Sequence, residues 1–262
     1  MIKKSLDELD SKWKNLTFQL NPFKNSSYYL IKNFDELEMA LDEDFNLTET
    51  LIVNPFKGPY EAEIDTWSQR LITLSNVLDE WRRMQAQWSY LQPIFDSKDI
   101  AHQLKKEYNL FKICDSFYRN LLVNSKACQS ALDITQIDDI LGKITKVNLD
   151  FDDIQVQLKA YLEVKRSKFA RFYFLSDDEL LSILSETKEV ERIQDHLRTV
   201  FENIQRLQFD EKKIIRAMFS VEGEKIDFVE PINPQGKQVE DWMGLVEDQM
   251  KLSVKSALMG SL

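Results

Sequence analysis

One uninterrupted amphipathic pattern dominates the sequence between residues 60 and 92. This stretch contains no Gly or Pro, and its apolar side chains recur in alternating steps of three and four. The apolar series is Ile64, Trp67, Leu71, Leu74, Leu78 and Trp81, and it resumes at Trp88 and Leu91 after an interruption at Gln85. This heptad-like spacing predicts one long helix, roughly 45–50 Å in length at 1.5 Å per residue. We interpret it as a core helix of a bundle, because the pattern is too short and too rich in Trp for a free coiled coil.

Shorter helical patterns lie on both sides of this stretch. Residues 5–20 form one, which Asn21 and Pro22 end. A second begins after Asn33, a candidate N-cap that is followed three residues later by Glu36. Further helices are predicted at residues 99–126, 134–146, 151–166, 177–187, 190–207 and 239–258. The last of these should turn its apolar side chains inward, at Val239, Trp242, Val246, Met250 and Val254.

A different pattern occupies residues 215–229. Apolar and polar residues alternate there on both sides of Glu222 and Gly223, which favours a small β-hairpin. The chain has only six glycines and six prolines, and 30% of its residues are charged. That composition is typical of long helices with few turns. The predicted fold class is therefore mostly α: an elongated helical-bundle rod with one small β-hairpin.

The clearest candidate boundary is residues 54–59, which contain two prolines and Gly58. We therefore divide the chain into an N-terminal helical segment, residues 1–57, and a region of helical bundles, residues 58–262. The β-hairpin belongs to the second region.

Charge and hydropathy exclude several classes of partner. The net charge of −10 argues against nucleic-acid binding, which needs a basic surface. No apolar run approaches the ~20 residues that cross a bilayer, and the first residues do not resemble a signal peptide. Cys114 and Cys128, the two cysteines, are therefore expected to be free, buried thiols in a reducing compartment.

No nucleotide-binding motif is present. A phosphate-binding loop needs an early glycine before its Gly-Lys pair, but Pro231 stands where Gly236 and Lys237 would require that glycine. A dinucleotide-binding glycine fingerprint does not occur either. We therefore predict no cofactor, and no catalytic or cofactor-binding residue.

No metal site is predicted. Asp42, Asp44 and Asn46 imitate the start of a calcium loop, but Leu47 replaces the required Gly and Val53 the required bidentate Glu. Zinc would need clustered ligands, whereas the cysteines and histidines are scattered along helices. We interpret these as packing residues: His102, His196, Cys114 and Cys128.

Residues 161–184 predict a joint between two helices. Ser176 and Glu179 have the spacing of a capping box at the start of the second helix. An aromatic run precedes them, and we expect its rings to be buried: Phe169, Phe172, Tyr173 and Phe174. A basic cluster could either close the end of the first helix or meet phosphate or an acidic partner: Lys165, Arg166, Lys168 and Arg171.

The same stretch, YLEVKRSKFARFYFLSDDELLSIL, resembles the dynein heavy chain linker, with Ala170 where that family usually has Pro. Three further segments resemble the family in the same order. They are WSYLQPIF at residues 88–95 with Asp99 and Ile100, LRTVFENIQRL at 197–207, and SVEGE at 220–224 followed by VEDW at 239–242. The resemblance covers roughly residues 60–258.

The resemblance implies a mechanical lever that lies across an ATPase ring and transmits ATP-driven changes into movement along microtubules. The implied partners are the AAA+ ring of the same heavy chain, other dynein subunits through a tail, and microtubules only indirectly. The implied location is cytoskeletal, with the axoneme of a cilium or flagellum favoured. The ATPase modules are absent, so we expect a non-catalytic fragment that starts at Met1 and stops at Leu262.

Two other classes stay open. A spectrin-like scaffold or tether is also built from long helices that carry Trp, but it would show a regular repeat of about 100 residues. An all-α enzyme would need a pocket where titratable groups converge.

Overall fold

The structure is a computed structural model that describes residues 2–24, 27–185 and 190–260. It is mostly α-helical, as the sequence predicts, with two small antiparallel sheets. The chain forms two compact units. The first contains Met1–Gln92 and Asn109–Ile154, and the second contains Pro93–Tyr108 and Gln155–Leu262. The predicted division at residue 57 stays a prediction.

The helices of the described residues are bounded as follows: α1 Ile2–Asn15, α2 Phe34–Ile52, α3 Glu61–Asp96, α4 Lys98–Gln103, α5 Lys105–Ala127, α6 Ile140–Lys168, α7 Asp177–Ser185, α8 Leu197–Val200 and α9 Val239–Gly260. Short 3-10 turns lie at Gly58–Tyr60, Ala131–Gln136, Ala170–Phe174 and Val190–His196. The strands are β1 Leu20–Pro22, β2 Tyr29–Ile31, β3 Ile204–Phe209, β4 Ile215–Ser220 and β5 Lys225–Ile232. Within these described ranges, no helix is both long and apolar enough to cross a membrane.

Helix α3 confirms the longest predicted element. It runs for 36 residues, about 54 Å at 1.5 Å per residue, and continues past the predicted end with Pro93 in its last turn. Every predicted apolar position is buried: Ile64, Trp67, Leu71, Leu74, Leu78, Trp81, Trp88 and Leu91. The three-and-four spacing places these side chains on one face, which forms the core of the first unit.

In the same unit, aromatic contacts join α3 to α2 and to the segment after α1, and charged contacts join α1 to α2. The ring of Trp81 lies 5.2 Å from Phe18 and 6.4 Å from Phe34. The indole N–H of Trp13 donates to the buried carboxylate of Asp44 at 2.8 Å, and Lys12 pairs with the same carboxylate at 3.1 Å. The buried charge of Asp44 is therefore fully partnered, as burial of a carboxylate requires.

The N-terminal predictions need two corrections. The first helix ends at Asn15, and the chain then enters β1, which pairs with β2 through Leu20 and Ile31. Asn33 does not cap α2 with its side chain. Instead its side-chain Nδ2 donates to the carbonyl of Thr17 at 2.9 Å, and its Oδ1 accepts from the backbone N–H of Gln19 at 2.9 Å. Pairing with a distant backbone therefore takes priority over local capping.

The predicted helix at residues 190–207 is wrong. A 3-10 turn and the single-turn α8 occupy its first part, and β3 begins at Ile204. The predicted hairpin is confirmed as β4 and β5, but β3 joins it to form a three-stranded sheet in the order β3-β4-β5. The three-residue spacing of Phe201, Ile204 and Leu207 imitates a helix, and only pairing with β4 fixes the segment as a strand.

Other helix boundaries also shift. The predicted helix at 99–126 is interrupted at Leu104, between α4 and α5. The predicted helices at 134–146 and 151–166 are largely one continuous helix, α6, preceded by a 3-10 turn. Helix α7 ends at Ser185, and the predicted continuation to residue 187 lies outside the described residues. In α9 the inward side chains are confirmed at Val239, Trp242 and Val246, whereas Met250 and Val254 are only half-buried.

Candidate lever helix and aromatic joint

Gln85 is the polar interruption in the apolar series of α3, and its side chain binds the backbone of β2. The N–H of Ile31 donates to Gln85 Oε1 at 2.7 Å, and Gln85 Nε2 donates to the carbonyl of Ile31 at 3.0 Å. The hydroxyl of Tyr118 also donates to Gln85 Oε1, at 3.1 Å. The interruption is therefore a fully used polar contact within the first unit.

Trp88, one turn further along α3, is held by aromatic and polar contacts. Its ring stacks on Tyr118 with centroids 4.6 Å apart, and its indole N–H donates to Asp115 at 2.9 Å. Burial raises the pKa of the Tyr118 hydroxyl, so that group stays protonated and acts as a hydrogen-bond donor. These contacts join α3 to α5 through side chains with little conformational freedom.

Polar contacts also join α3 to the first half of α6. The buried amide of Asn148 donates to the backbone carbonyl of Glu80 at 2.9 Å and to its carboxylate at 2.6 Å. Asp152 accepts from Arg83 at 2.6 Å and from Gln87 at 2.5 Å. Helix α3 is therefore supported by neighbouring helices on its polar as well as its apolar side.

Arg166 organises the joint between α6 and α7 in the second unit. Its guanidinium donates to the carbonyl of Leu175 at 3.0 Å and pairs with Asp177 at 2.8 Å. A longer contact of 3.5 Å reaches the carbonyl of Phe172. Arg166 is only 9% exposed. Of the two readings of the basic cluster, the structure therefore supports closure of a helix end for this residue.

The predicted capping box at α7 is confirmed. The N–H of Ser176 donates to the carboxylate of Glu179 at 2.8 Å, and the N–H of Glu179 donates to Ser176 Oγ at 3.3 Å. The hydrogen bond from the backbone N–H of Ser176 and, to a smaller extent, the one from its hydroxyl lower the pKa of Glu179. The start of α7 is thus fixed by local sequence.

The aromatic run is only half buried, which corrects the prediction. Phe169 and Phe172 are buried and contact each other edge-to-face at 4.9 Å. Tyr173 and Phe174 are 57% and 68% exposed. The reason is the 3-10 turn at Ala170–Phe174, whose three residues per turn place every third side chain on one face. Phe169, Phe172 and Leu175 share that buried face.

An ion cluster around the buried carboxylate of Glu240 joins the last turn of α6 to the first turn of α9. Lys165 Nζ lies 2.7 Å from Glu240 Oε1, and Lys168 Nζ lies 3.3 Å from the same oxygen. Burial would raise the pKa of Glu240, but the hydrogen bond from Lys165, with those from its own backbone N–H and from Lys168, outweighs burial and lowers it. The carboxylate is therefore ionised at neutral pH.

The structure places the cysteines apart from any metal-binding arrangement. Among the described residues, no group of three or more His, Cys, Asp or Glu side chains could hold a metal ion. Cys114 is a buried free thiol as predicted, and burial raises its pKa to about 12. Cys128 is also free, but it is half-buried. The prediction that the chain has no catalytic, cofactor-binding or metal residue stays a prediction.

The long helix, the closed joint and the small sheets define a mostly α-helical protein. Comparison with known proteins gives its family. The family model described as "Dynein heavy chain, N-terminal region 2" matches residues 1–261. The chain belongs to the dynein heavy chain family.

Curated relatives agree with this assignment. Dynein axonemal heavy chain 1 of Mus musculus is 38% identical over 253 residues, which are 97% of this chain and 6% of that protein. Dynein axonemal heavy chain 12 of Rattus norvegicus is 36% identical over 262 residues, 99% of this chain and 8% of that protein. Dynein axonemal heavy chain 3 of Homo sapiens is 37% identical over 259 residues, 98% and 6% respectively. The chain thus spans less than a tenth of the length of these relatives.

Proposed function

We propose that this part of the heavy chain is a mechanical linker, a lever that transmits ATP-driven changes of an AAA+ ring into movement along microtubules. The observation that carries the proposal is the single helix α3, with its buried apolar face. A lever must resist bending, and a long helix packed along its length is stiff.

Contacts along α3 support this reading. Gln85 joins it to β2, Trp88 joins it to α5, and Asn148 and Asp152 of α6 bind its polar side. Bending α3 would disturb these contacts together, because packed side chains shift between discrete arrangements. A load applied to the helix is therefore shared with its neighbours.

The proposal includes partners and location. The lever would dock on the AAA+ ring of the same heavy chain and act within a dynein complex, contacting microtubules only indirectly. The similarity to axonemal heavy chains favours the axoneme of a cilium or flagellum. The region itself would be non-catalytic, since its sequence lacks a phosphate-binding loop.

The decisive experiment breaks α3 in the full heavy chain. Ser75→Pro removes one backbone hydrogen bond and bends the helix near its middle. We expect microtubule gliding to slow by several-fold, while ATP binding to the motor stays unchanged. Both quantities should be measured on the same preparation, after circular dichroism has shown that the variant is folded.

Two controls separate bending from the substitution itself. Ser75→Ala changes the same side chain without bending the helix. Lys98→Pro places proline at the first residue of α4, where the preceding Ser97 already has an extended backbone with ψ of 118°. Both controls should glide like the unmodified motor. Normal gliding by a folded Ser75→Pro motor would show that α3 does not carry load, and would favour a scaffold.

A second experiment tests the non-catalytic assignment. The purified chain should show no steady-state ATP hydrolysis above a contaminant control. Binding of the same chain to an isolated dynein ring would separate the lever from both a scaffold and an enzyme.

A further inference from the structure

A cleft of about 530 Å³ opens in the first unit beside the β1–β2 hairpin and α5. Its volume lies in the range of sites that hold a small ligand or an inserted side chain. Phe18 and Leu20 line it from the N-terminal side, and Leu122 and Val123 of α5 line it from the other. The lever proposal makes no use of this cleft.

The inner wall of the cleft is aromatic and preorganised. Trp88 and Tyr118 are fully buried and stacked. Their polar atoms are already used, because the indole N–H of Trp88 donates to Asp115 and the hydroxyl of Tyr118 donates to Gln85, the nearer of its two acceptors. Because both rings are fully buried, the apolar surface that a ligand can contact comes from Tyr29 and Val123, which line the same cleft and are 48% and 67% exposed.

The rim of the cleft is basic. Arg119 and Lys126 line it, and none of the lining residues that the structure describes is Asp or Glu, in a chain with 44 acidic residues and a net charge of −10. Asp115, which contacts Trp88, is occupied by Arg119 at 2.7 Å. Arg119 also lies 4.3 Å from the ring centroid of Tyr28. Lys126 has no hydrogen-bond or ion-pair partner within the described part of the chain.

We propose that this cleft is a docking site for an acidic peptide segment of a partner protein, which inserts one large apolar side chain. The apolar wall would supply affinity, as buried anchors do at interfaces. The basic rim would select a carboxylate next to the anchor, because the rest of this acidic chain repels such a segment. The proposal is independent of the lever function, and either can fail without the other.

Two blocked hexapeptides serve as probes: the acidic Ac-EDLFDE-NH2 and the charge-inverted Ac-KKLFKK-NH2. They carry the same Leu-Phe pair, and their four flanking side chains are of opposite charge. Each is titrated into the ¹⁵N-labelled chain while the indole N–H signal of Trp88 is followed by NMR. The acidic peptide should shift this signal and bind about tenfold more tightly than the basic one.

Matched variants test the location. Val123 is 67% exposed and lines the cleft, whereas Ile113 on the same helix is 68% exposed and does not line it. Val123→Glu and Lys126→Glu should each weaken binding of the acidic peptide by roughly fivefold or more. Ile113→Glu should leave the affinity for that peptide unchanged. Equal binding of the two peptides, no shift at Trp88, or unchanged binding to Val123→Glu would overturn the proposal.

Discussion

The side chain of Gln85 pairs with both backbone groups of Ile31, 54 residues earlier in the chain. This contact extends the β1–β2 ladder with a side-chain amide in place of a third strand. The same device recurs in the second unit. The N–H of Leu207 donates to Gln194 Oε1 at 2.9 Å, and Gln194 Nε2 donates to the carbonyl of Leu207 at 2.8 Å. Glutamine side chains thus satisfy backbone groups of strand edges that no other strand pairs with.

Gln85→Leu should be strongly destabilising. The substitution leaves the N–H and the carbonyl of Ile31 without their partner, and each buried orphan costs about 1–3 kcal/mol. We expect the free energy of unfolding to fall by about 2–5 kcal/mol, measured by urea denaturation, and the amide of Ile31 to exchange faster with solvent. Gln69→Leu, at an exposed position of the same helix, should change stability by less than ~0.5 kcal/mol. Retained protection of the Ile31 amide in Gln85→Leu would contradict the assignment.

Phe172→Ala and Phe174→Ala make a matched pair in the aromatic joint. Phe172 is fully buried, so its truncation should lower stability by about 3–5 kcal/mol. Phe174 is 68% exposed, and its truncation should cost less than ~0.5 kcal/mol. Thermal melts of the two variants measure the loss of stability that each truncation causes. Similar losses in both would mean that the 3-10 turn does not separate a buried from an exposed face.

Arg166→Met should loosen the joint. The variant loses charge-assisted hydrogen bonds to the carbonyl of Leu175 and to Asp177, and such bonds contribute about 1.5–3 kcal/mol each. Because the Asp177 side chain is 39% exposed and solvent weakens its contribution, we expect a net loss of about 2–4 kcal/mol in chemical denaturation. Arg166→Lys keeps the charge but not the forked geometry, so it should recover only part of that loss. Arg198→Met, at an exposed position, is the control and should be close to neutral. Full recovery by Arg166→Lys would show that charge alone matters.

Glu240→Gln should destabilise the chain in a pH-dependent way. The pKa of Glu240 is lowered from its ordinary value of 4.5, so its ionised form stabilises the fold above that pH. This stability is lost as the pH falls through the lowered pKa. At pH 7 we expect Glu240→Gln to cost about 3 kcal/mol, because breaking a buried ion pair leaves Lys165 unpaired.

The difference between Glu240→Gln and the unmodified chain should then shrink as the pH falls below 4.5. Urea denaturation at several pH values measures it. Glu222→Gln, in the exposed turn after β4, should show no such trend. A difference that is constant from pH 7 to pH 3 would mean that the ionised carboxylate is not the stabilising species.

Local patterns were sufficient for the elements whose stabilising contacts lie close in sequence. The spacing of Ile64, Trp67 and Leu71 places apolar side chains on one face of α3 wherever its partners lie, because the helical period alone sets that face. The capping box of Ser176 and Glu179 closes within three residues, so the start of α7 was predictable. The β4–β5 hairpin is local in the same sense.

Tertiary structure decided the features that depend on distant backbone. The segment around Leu207 fits a helix or a strand by its pattern, and pairing with β4 decides for the strand. The polar Gln85 in the apolar series of α3 indicated a break in the core, but the sequence did not indicate its partner in β2. Phe174 faces solvent because the segment winds as a 3-10 turn whose buried side is chosen by Phe201 and the surrounding core. Periodicity reports which side chains share a face. Pairing between strands and side-chain amides far apart in the chain requires the folded backbone to bring donors and acceptors together.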